Sequence, residues 1–344
     1  MAYTPIDKPS DYFNTVLYTG NGSTNAITGV GFQPDWLWLK KRNSSVNHFL
    51  FDAVRGASKE LNCNNTEAEA SPANYLSSFD SDGFTIGSDS DINGNSDTLV
   101  SWNWLGANGT ASNSDGSITT TVSANTTSGF SVMSYTGTGS NATLGHGLGV
   151  APKMVIIKQR NGGDQSWCTF HIDIGAGKFI DFNRTDATNT NGSSRYTSIP
   201  SSTVINIGNS DAVNSSNNTF ICYAFAEKQG YSKFGSYTGN GSDNGAFIYT
   251  GFKPAFVIIK RTDSGENWMQ LDNKRNPFND ADSFLFPNNT SAESDANVVL
   301  GVDLVSNGFK CRDSDAAINN GEYIYMAFAE NPLVTSTGVP ATAR

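Results

Sequence analysis

Apolar and polar residues alternate along this chain in short runs, bounded about every ten residues by Gly, Asn, Asp or Ser, and no stretch sustains apolar spacing at three and four. That period of two predicts strands and turns rather than helices. Val100-Ser-Trp102-Asn-Trp104, Ile221-Cys-Tyr223-Ala-Phe225 and Ile324-Tyr-Met326-Ala-Phe328 place large apolar groups at every second position, so each stretch presents them on one face of a strand. Three other runs, Trp36 to Leu39, Met154 to Ile157 and Phe256 to Ile259, are continuously apolar and predict central strands buried on both faces.

These runs belong to a unit written three times. Tyr18-Thr-Gly-Asn-Gly leads to Gly31-Phe-Gln-Pro34 and ends at Lys40; Tyr135-Thr-Gly-Thr-Gly leads to Gly149-Val-Ala-Pro152 and Lys158; Tyr237-Thr-Gly-Asn-Gly leads to Gly251-Phe-Lys-Pro254 and Lys260. Tyr to Pro spans 16, 17 and 17 residues, and Pro to Lys spans 6 in each copy. The unit starts are 117 and 102 residues apart, long enough for each copy to hold a core of its own. The expected fold is all-β: three tandem homologous β-sandwich, jelly-roll-like domains. They are placed at 11–126 (with an added hairpin segment), 127–232 and 233–333, with an N-terminal arm at 1–10 and a tail at 334–344. Units 2 and 3, joined only by Ala226 to Phe234, are expected to sit at a nearly fixed angle.

Composition narrows the function classes. A chain of 344 residues with 34 glycines and 37% hydrophobic residues is globular and rich in turns. A net charge of −10 with scattered basic residues argues against nucleic acid as a partner. No apolar run approaches the roughly 20 residues that span a bilayer, so membrane insertion is not expected, and Met1 to Asp7 does not read as a signal peptide. Cys63, Cys168, Cys222 and Cys311 have no metal-like spacing and are expected as free buried thiols, which suits synthesis in a reducing cytoplasm.

Candidate chemistry is sparse, and no cofactor is expected. Asp89-Ser-Asp91-Ile-Asn93-Gly94 resembles the start of a calcium loop, with Asp97 as a further oxygen ligand, but Val100 stands where the closing Glu belongs. An Asx-rich hairpin turn accounts for the same residues. His146, set between glycines, is expected to be exposed and is a candidate ligand contact; His48 and His171 are expected to be packed or surface residues. Carboxylate pairs such as Asp80 and Asp82 admit a polysaccharide depolymerase as an alternative, although turns produce such pairs freely. Lys40, Lys158 and Lys260 predict a strand-end role, reaching solvent or pairing with a carboxylate such as Glu227 or Glu330. Asp52 with Arg55, and Asp272 with Arg275, predict structural ion pairs.

Asp11-Tyr-Phe-Asn-Thr-Val-Leu-Tyr-Thr-Gly-Asn-Gly, Gly31 to Asn43, Leu50-Phe-Asp-Ala-Val-Arg-Gly56 and Phe79-Asp-Ser-Asp-Gly-Phe84 resemble a repeat of tail-fibre-like virion structural proteins from marine tailed phages, cyanophages among them. Gly145 to Pro152 and Met326 to Pro332 are similar to the middle and end of the same proteins. The resemblance implies a non-enzymatic virion component that contacts other virion proteins, acting as a tail-fibre or receptor-recognition protein on host-surface glycan. A head decoration or tail connector with a purely architectural role is the alternative. A homo-oligomer, with a trimer favoured, is expected through the Tyr3 to Ser10 arm or the segment after Pro332.

Overall fold

The computed structural model describes residues 4–162, 164–293 and 301–333. Among the described residues 42% are strand and 4% helix, so the all-β expectation holds. The first unit comprises β1 (Phe13–Thr19), β2 (Asn25–Ile27), β3 (Trp36–Lys41), β4 (Phe49–Asp52), β5 (Leu61–Asn62), β6 (Leu76–Asp80), β7 (Gly83–Ile86) and β8 (Thr98–Trp104), with a helical turn α1 (Ser90–Asn93) before β8. After β9 (Ala111–Asn113) and β10 (Thr120–Asn125), the second comprises β11 (Phe130–Thr136), β12 (Ala142–Gly145), β13 (Met154–Gln159), β14 (Cys168–His171), β15 (Ile180–Asp181), β16 (Val204–Ile207), α2 (Asp211–Asn214) and β17 (Thr219–Phe225). The third comprises β18 (Ser232–Thr238), β19 (Phe247–Tyr249), β20 (Phe252–Arg261), β21 (Met269–Asp272), β22 (Val302–Val305), β23 (Gly308–Cys311) and β24 (Glu322–Pro332).

One strand order recurs in the larger sheets. The opening strand pairs with the closing strand, which pairs with the central strand, which pairs with the fourth: β1-β8-β3-β4, β11-β17-β13-β14 and β18-β24-β20-β21, all antiparallel. A small sheet covers one face of each: β2-β7-β6, β12-β16 and β19-β23-β22. Between small and large sheet lies a core private to the unit, with Leu37, Leu39 and Phe84 in the first, Val155, Ile157 and Ile205 in the second, and Val257, Ile259 and Phe309 in the third.

The other face of all three large sheets packs into a single cluster. Trp36, Trp102, Trp104, Met154, Tyr223, Phe225, Phe256, Met326 and Phe328 belong to it together. Rings meet across units: Trp36 stacks on Tyr223 at 4.7 Å and Phe13 on Phe328 at 5.1 Å, while Trp104 meets Phe256 edge-on at 5.6 Å. Central strands buried on both faces are thus explained: one face serves the unit and the other serves the shared cluster. A lone unit would leave its Trp- or Phe-bearing face in water, so the private cores are incomplete without the shared one.

One expectation about a boundary changes. The segment placed at the end of the first unit hydrogen-bonds into the second, where β10 runs antiparallel to β11 and β9 pairs with β10, giving a seven-stranded sheet. A tight turn closes that hairpin, with Gly129 N donating to the Asn125 carbonyl at 2.9 Å and Gly129 at φ 76, a conformation open to glycine. In the N-terminal arm, Ile6 is 1% exposed and sits in the shared cluster. The tail at 334–344 lies outside the described residues.

Candidate functional site

The polar groups repeated in all three units converge where the units meet. Each strand-end lysine shares the face of its strand that carries Trp36 or its equivalents, so its ammonium reaches the unit boundary instead of solvent or a carboxylate. Lys40 Nζ donates to the Thr290 carbonyl of unit 3 at 3.3 Å, Lys158 Nζ to the Thr66 carbonyl of unit 1 at 2.9 Å, and Lys260 Nζ to the Thr185 carbonyl of unit 2 at 3.0 Å. Each also holds a carbonyl of its own unit: Ser44, Gln165 and Glu266. The links run from unit 1 to 3, 3 to 2 and 2 to 1, which closes a ring. Burial lowers all three ammonium groups to about 8. Glu227 and Glu330 pair elsewhere, with Lys233 and Lys253.

Three further sets of contacts follow the same circuit. Backbone N–H groups of Glu293, Glu69 and Thr188 donate to the carbonyls of Arg42, Arg160 and Thr262 at 2.7–2.9 Å. Trp167 Nε1 donates to Asn62 O at 2.9 Å and Trp268 Nε1 to Asp181 O at 3.1 Å, across two of the three boundaries; His48 holds the equivalent place in unit 1 but bonds within that unit, its Nδ1 accepting from Trp38 Nε1 at 3.0 Å. On the closing strands, Tyr223 Oη donates to Asp52 at 2.8 Å, Trp102 Nε1 to Asp272 at 3.0 Å, and His171 Nε2 to the Tyr325 carbonyl at 3.3 Å. The expected ion pairs are present, with Arg55 on Asp52 and Arg275 on Asp272, all four side chains fully buried. Glu69 joins Arg55 to Arg160, and Glu293 joins Arg275 to Arg42. Burial works to raise the Glu69 carboxyl, but its hydrogen bond from Arg160 and the charge of Arg55 hold it below the ordinary range.

The acceptor loops expose a repeat that the reading of the sequence missed. Asn64-Asn-Thr66, Asn183-Arg-Thr185 and Asn288-Asn-Thr290 share an Asn-x-Thr pattern. The Asn side chain accepts from the backbone N–H of His48, Trp167 or Trp268 at 2.8–3.0 Å and so fixes the loop whose Thr carbonyl receives a lysine.

The residues singled out for ligand chemistry are engaged in structure. Asp89 caps α1 by accepting from Asp91 N at 2.8 Å. Asn93 is fully buried, donates to the Gly87 carbonyl at 2.6 Å and accepts from Asn21 N at 3.1 Å, pinning the Tyr-Thr-Gly loop. Asn214 and Asn319 do the same in their units. Asp97 pairs with Lys41 at 2.6 Å and accepts from Asn43. Among the described residues no three His, Cys, Asp or Glu side chains gather at metal-ligand spacing. His146, expected to be exposed, is buried instead: Nε2 donates to the Ser201 carbonyl at 3.2 Å and Nδ1 accepts from Leu148 N at 3.2 Å. His48 and His171 are buried, and all four cysteines are free and buried. Asp82 holds the N–H groups of Gly29 and Gly31, whereas Asp80 accepts from Ser78 and Thr85, so the two carboxylates serve different turns.

A family model described as a domain of unknown function, DUF7483, matches residues 8–332, and the chain belongs to that family. The match takes in all three units and the shared cluster together. No curated protein matches the chain. Among the described residues no helix is long and apolar enough to cross a membrane.

Proposed function

We propose that this chain is a non-enzymatic phage virion protein that acts by binding, as a tail-fibre or receptor-recognition protein directed at host-surface glycan. The observation that carries the reading is the use made of its polar side chains. Buried Lys, Asp, Arg, Glu and His groups, which in an enzyme would be candidates for proton transfer, are paired with fixed partners around the unit boundaries. They build a rigid β scaffold and leave recognition to exposed loops, as binding proteins commonly do. The resemblance of the repeated motifs to virion proteins of tailed phages supplies the setting: a chain made in the host cytoplasm and built into the particle beside other virion proteins.

The architectural alternative, a head decoration or tail connector, draws on the cyclic arrangement, since three equivalent units suit a seat on a three-fold surface. Antibody raised against the purified chain, located on intact particles by electron microscopy, separates the two. Labelling of tail fibres with no release of reducing sugar from host polysaccharide supports the reading. Labelling of the head, or sugar release abolished by an Asp→Ala substitution, overturns it.

A further inference from the structure

What only one unit carries is informative where three units otherwise agree. On β19 of unit 3 the rings of Phe247 and Tyr249 are 49% and 57% exposed, while Ile248 between them is buried in the unit core. Residues i and i+2 of a strand share a face, so the two rings stand side by side, about 7 Å apart along it. β19 is an edge strand. Strand register identifies the corresponding places in the other units: Ile248 faces Phe309, Ile27 faces Phe84 and Leu144 faces Ile205. The flanking residues are Ala26 and Thr28 in unit 1, and Thr143 and Gly145 in unit 2. The shared fold therefore does not require an aromatic ring at either place.

Tyr249 borders a cleft of about 370 Å³ whose other walls include Glu227, Gln229 and Lys233. Lys233 Nζ pairs with Glu227 Oε1 at 2.9 Å, and the second oxygen accepts from Phe234 N at 3.4 Å, so the carboxylate is held in place. Covering this charged pair with an apolar protein surface would cost desolvation. A pyranose offers an apolar C–H face and a rim of hydroxyls that both donate and accept, matching an exposed ring beside a carboxylate, an amide and an ammonium.

We propose that this cleft is a saccharide-binding site in which one pyranose stacks on Tyr249, its hydroxyls bond Glu227, Gln229 and Lys233, and Phe247 receives the adjoining sugar. The site locates the glycan contact of the function proposed above and rests on that reading. The test is binding of the full chain to a printed array of bacterial lipopolysaccharides and capsular polysaccharides. The wild type, Tyr249→Ala, Phe247→Ala, Tyr249→Phe and Leu17→Ala are compared, with Leu17 as an exposed apolar control on unit 1. Both rings are exposed, so the variants should unfold at the wild-type denaturant concentration. The site predicts a loss of about tenfold or more for the two ring deletions, with Tyr249→Phe and Leu17→Ala staying within about threefold of wild type. Wild-type binding that survives both ring deletions, or that falls as far in Tyr249→Phe as in Tyr249→Ala, overturns the site and leaves the glycan reading standing. A wild type that binds nothing on the array overturns both.

Discussion

The boundary between units 1 and 2 and the boundary between units 2 and 3 use one backbone scheme with different side chains. At the first, the lysine link and the backbone link are joined by Arg160 on Glu69 at 2.8 Å. At the second, the same two links are present, but Thr262 and Thr188 stand where the Arg and Glu would be. The lysine and the main chain therefore suffice to register one unit against the next, and the half-buried ion pair is an addition. A similar exchange occurs deeper in, where Asp52 and Asp272 receive a Tyr or Trp donor and His171 replaces them in unit 2, donating to a main-chain carbonyl. Burial lowers His171 to about 4, so it stays neutral and can fill a site that elsewhere needs an anion and its arginine.

The largest effect should follow from breaking the buried pair where it also bridges units. Asp52→Ala leaves the buried Arg55 guanidinium with only the longer contact to Glu69 at 3.3 Å as an ion pair and removes the acceptor of Tyr223 Oη, and a loss of about 3–5 kcal/mol is expected from denaturant unfolding. His171→Ala, which removes one neutral donor and some packing, is expected to lose less; an equal loss would break the comparison.

Next come the lysines. Lys158→Met leaves the Thr66 and Gln165 carbonyls without this donor, and a loss of about 1–3 kcal/mol is expected near pH 7. The pH dependence carries a sign. Each folded lysine lies near 8 against an ordinary 10.5, so between those values the unfolded chain binds more protons and stability rises with pH. The cost of burying the charge is therefore greatest below about 8 and is relieved as pH rises to the unfolded value. The buried thiols oppose this. Burial raises all four, Cys168 to about 12, Cys311 to about 11 and Cys63 and Cys222 well upward, so above their ordinary value near 9 the unfolded chain loses those protons first and stability falls. The profile should climb from about pH 7.5, turn over above about pH 9, and keep only about a third of the climb, that of Lys40, in Lys158→Met with Lys260→Met.

The smallest effect tests the idea of addition directly. Thr262→Arg with Thr188→Glu would write the missing ion pair into the boundary of units 2 and 3, and a gain of no more than about 1 kcal/mol is expected, shrinking in high salt. A larger gain would mean that the pair is part of the registering scheme.

Much of this was legible in the sequence, for identifiable reasons. Strand-period alternation at Val100 to Trp104 and its counterparts names a face, and turn glycines punctuate the strands; both are local. Asp52 with Arg55 was legible because three residues separate them. What covers the face of Trp36 and Trp102 was not, since burial on both sides of a strand does not say which second layer supplies it. The destination of Lys40 was hidden because its acceptor, the Thr290 carbonyl, is main chain and 250 residues away. Asn93 was ambiguous for the opposite reason: an amide among carboxylates suits a cation loop and an Asx-rich turn alike, and its hold on the turn shows only in its bonds to the Gly87 carbonyl and the Asn21 N–H.

The central claim is that three units closed around one cluster form a single cooperative body. Calorimetry of the full chain tests it most directly. One transition whose van't Hoff enthalpy equals the calorimetric enthalpy is predicted, because no large sheet keeps its aromatic face covered once a neighbour has left. Separate transitions, or a van't Hoff enthalpy near one third of the calorimetric value, would contradict the account.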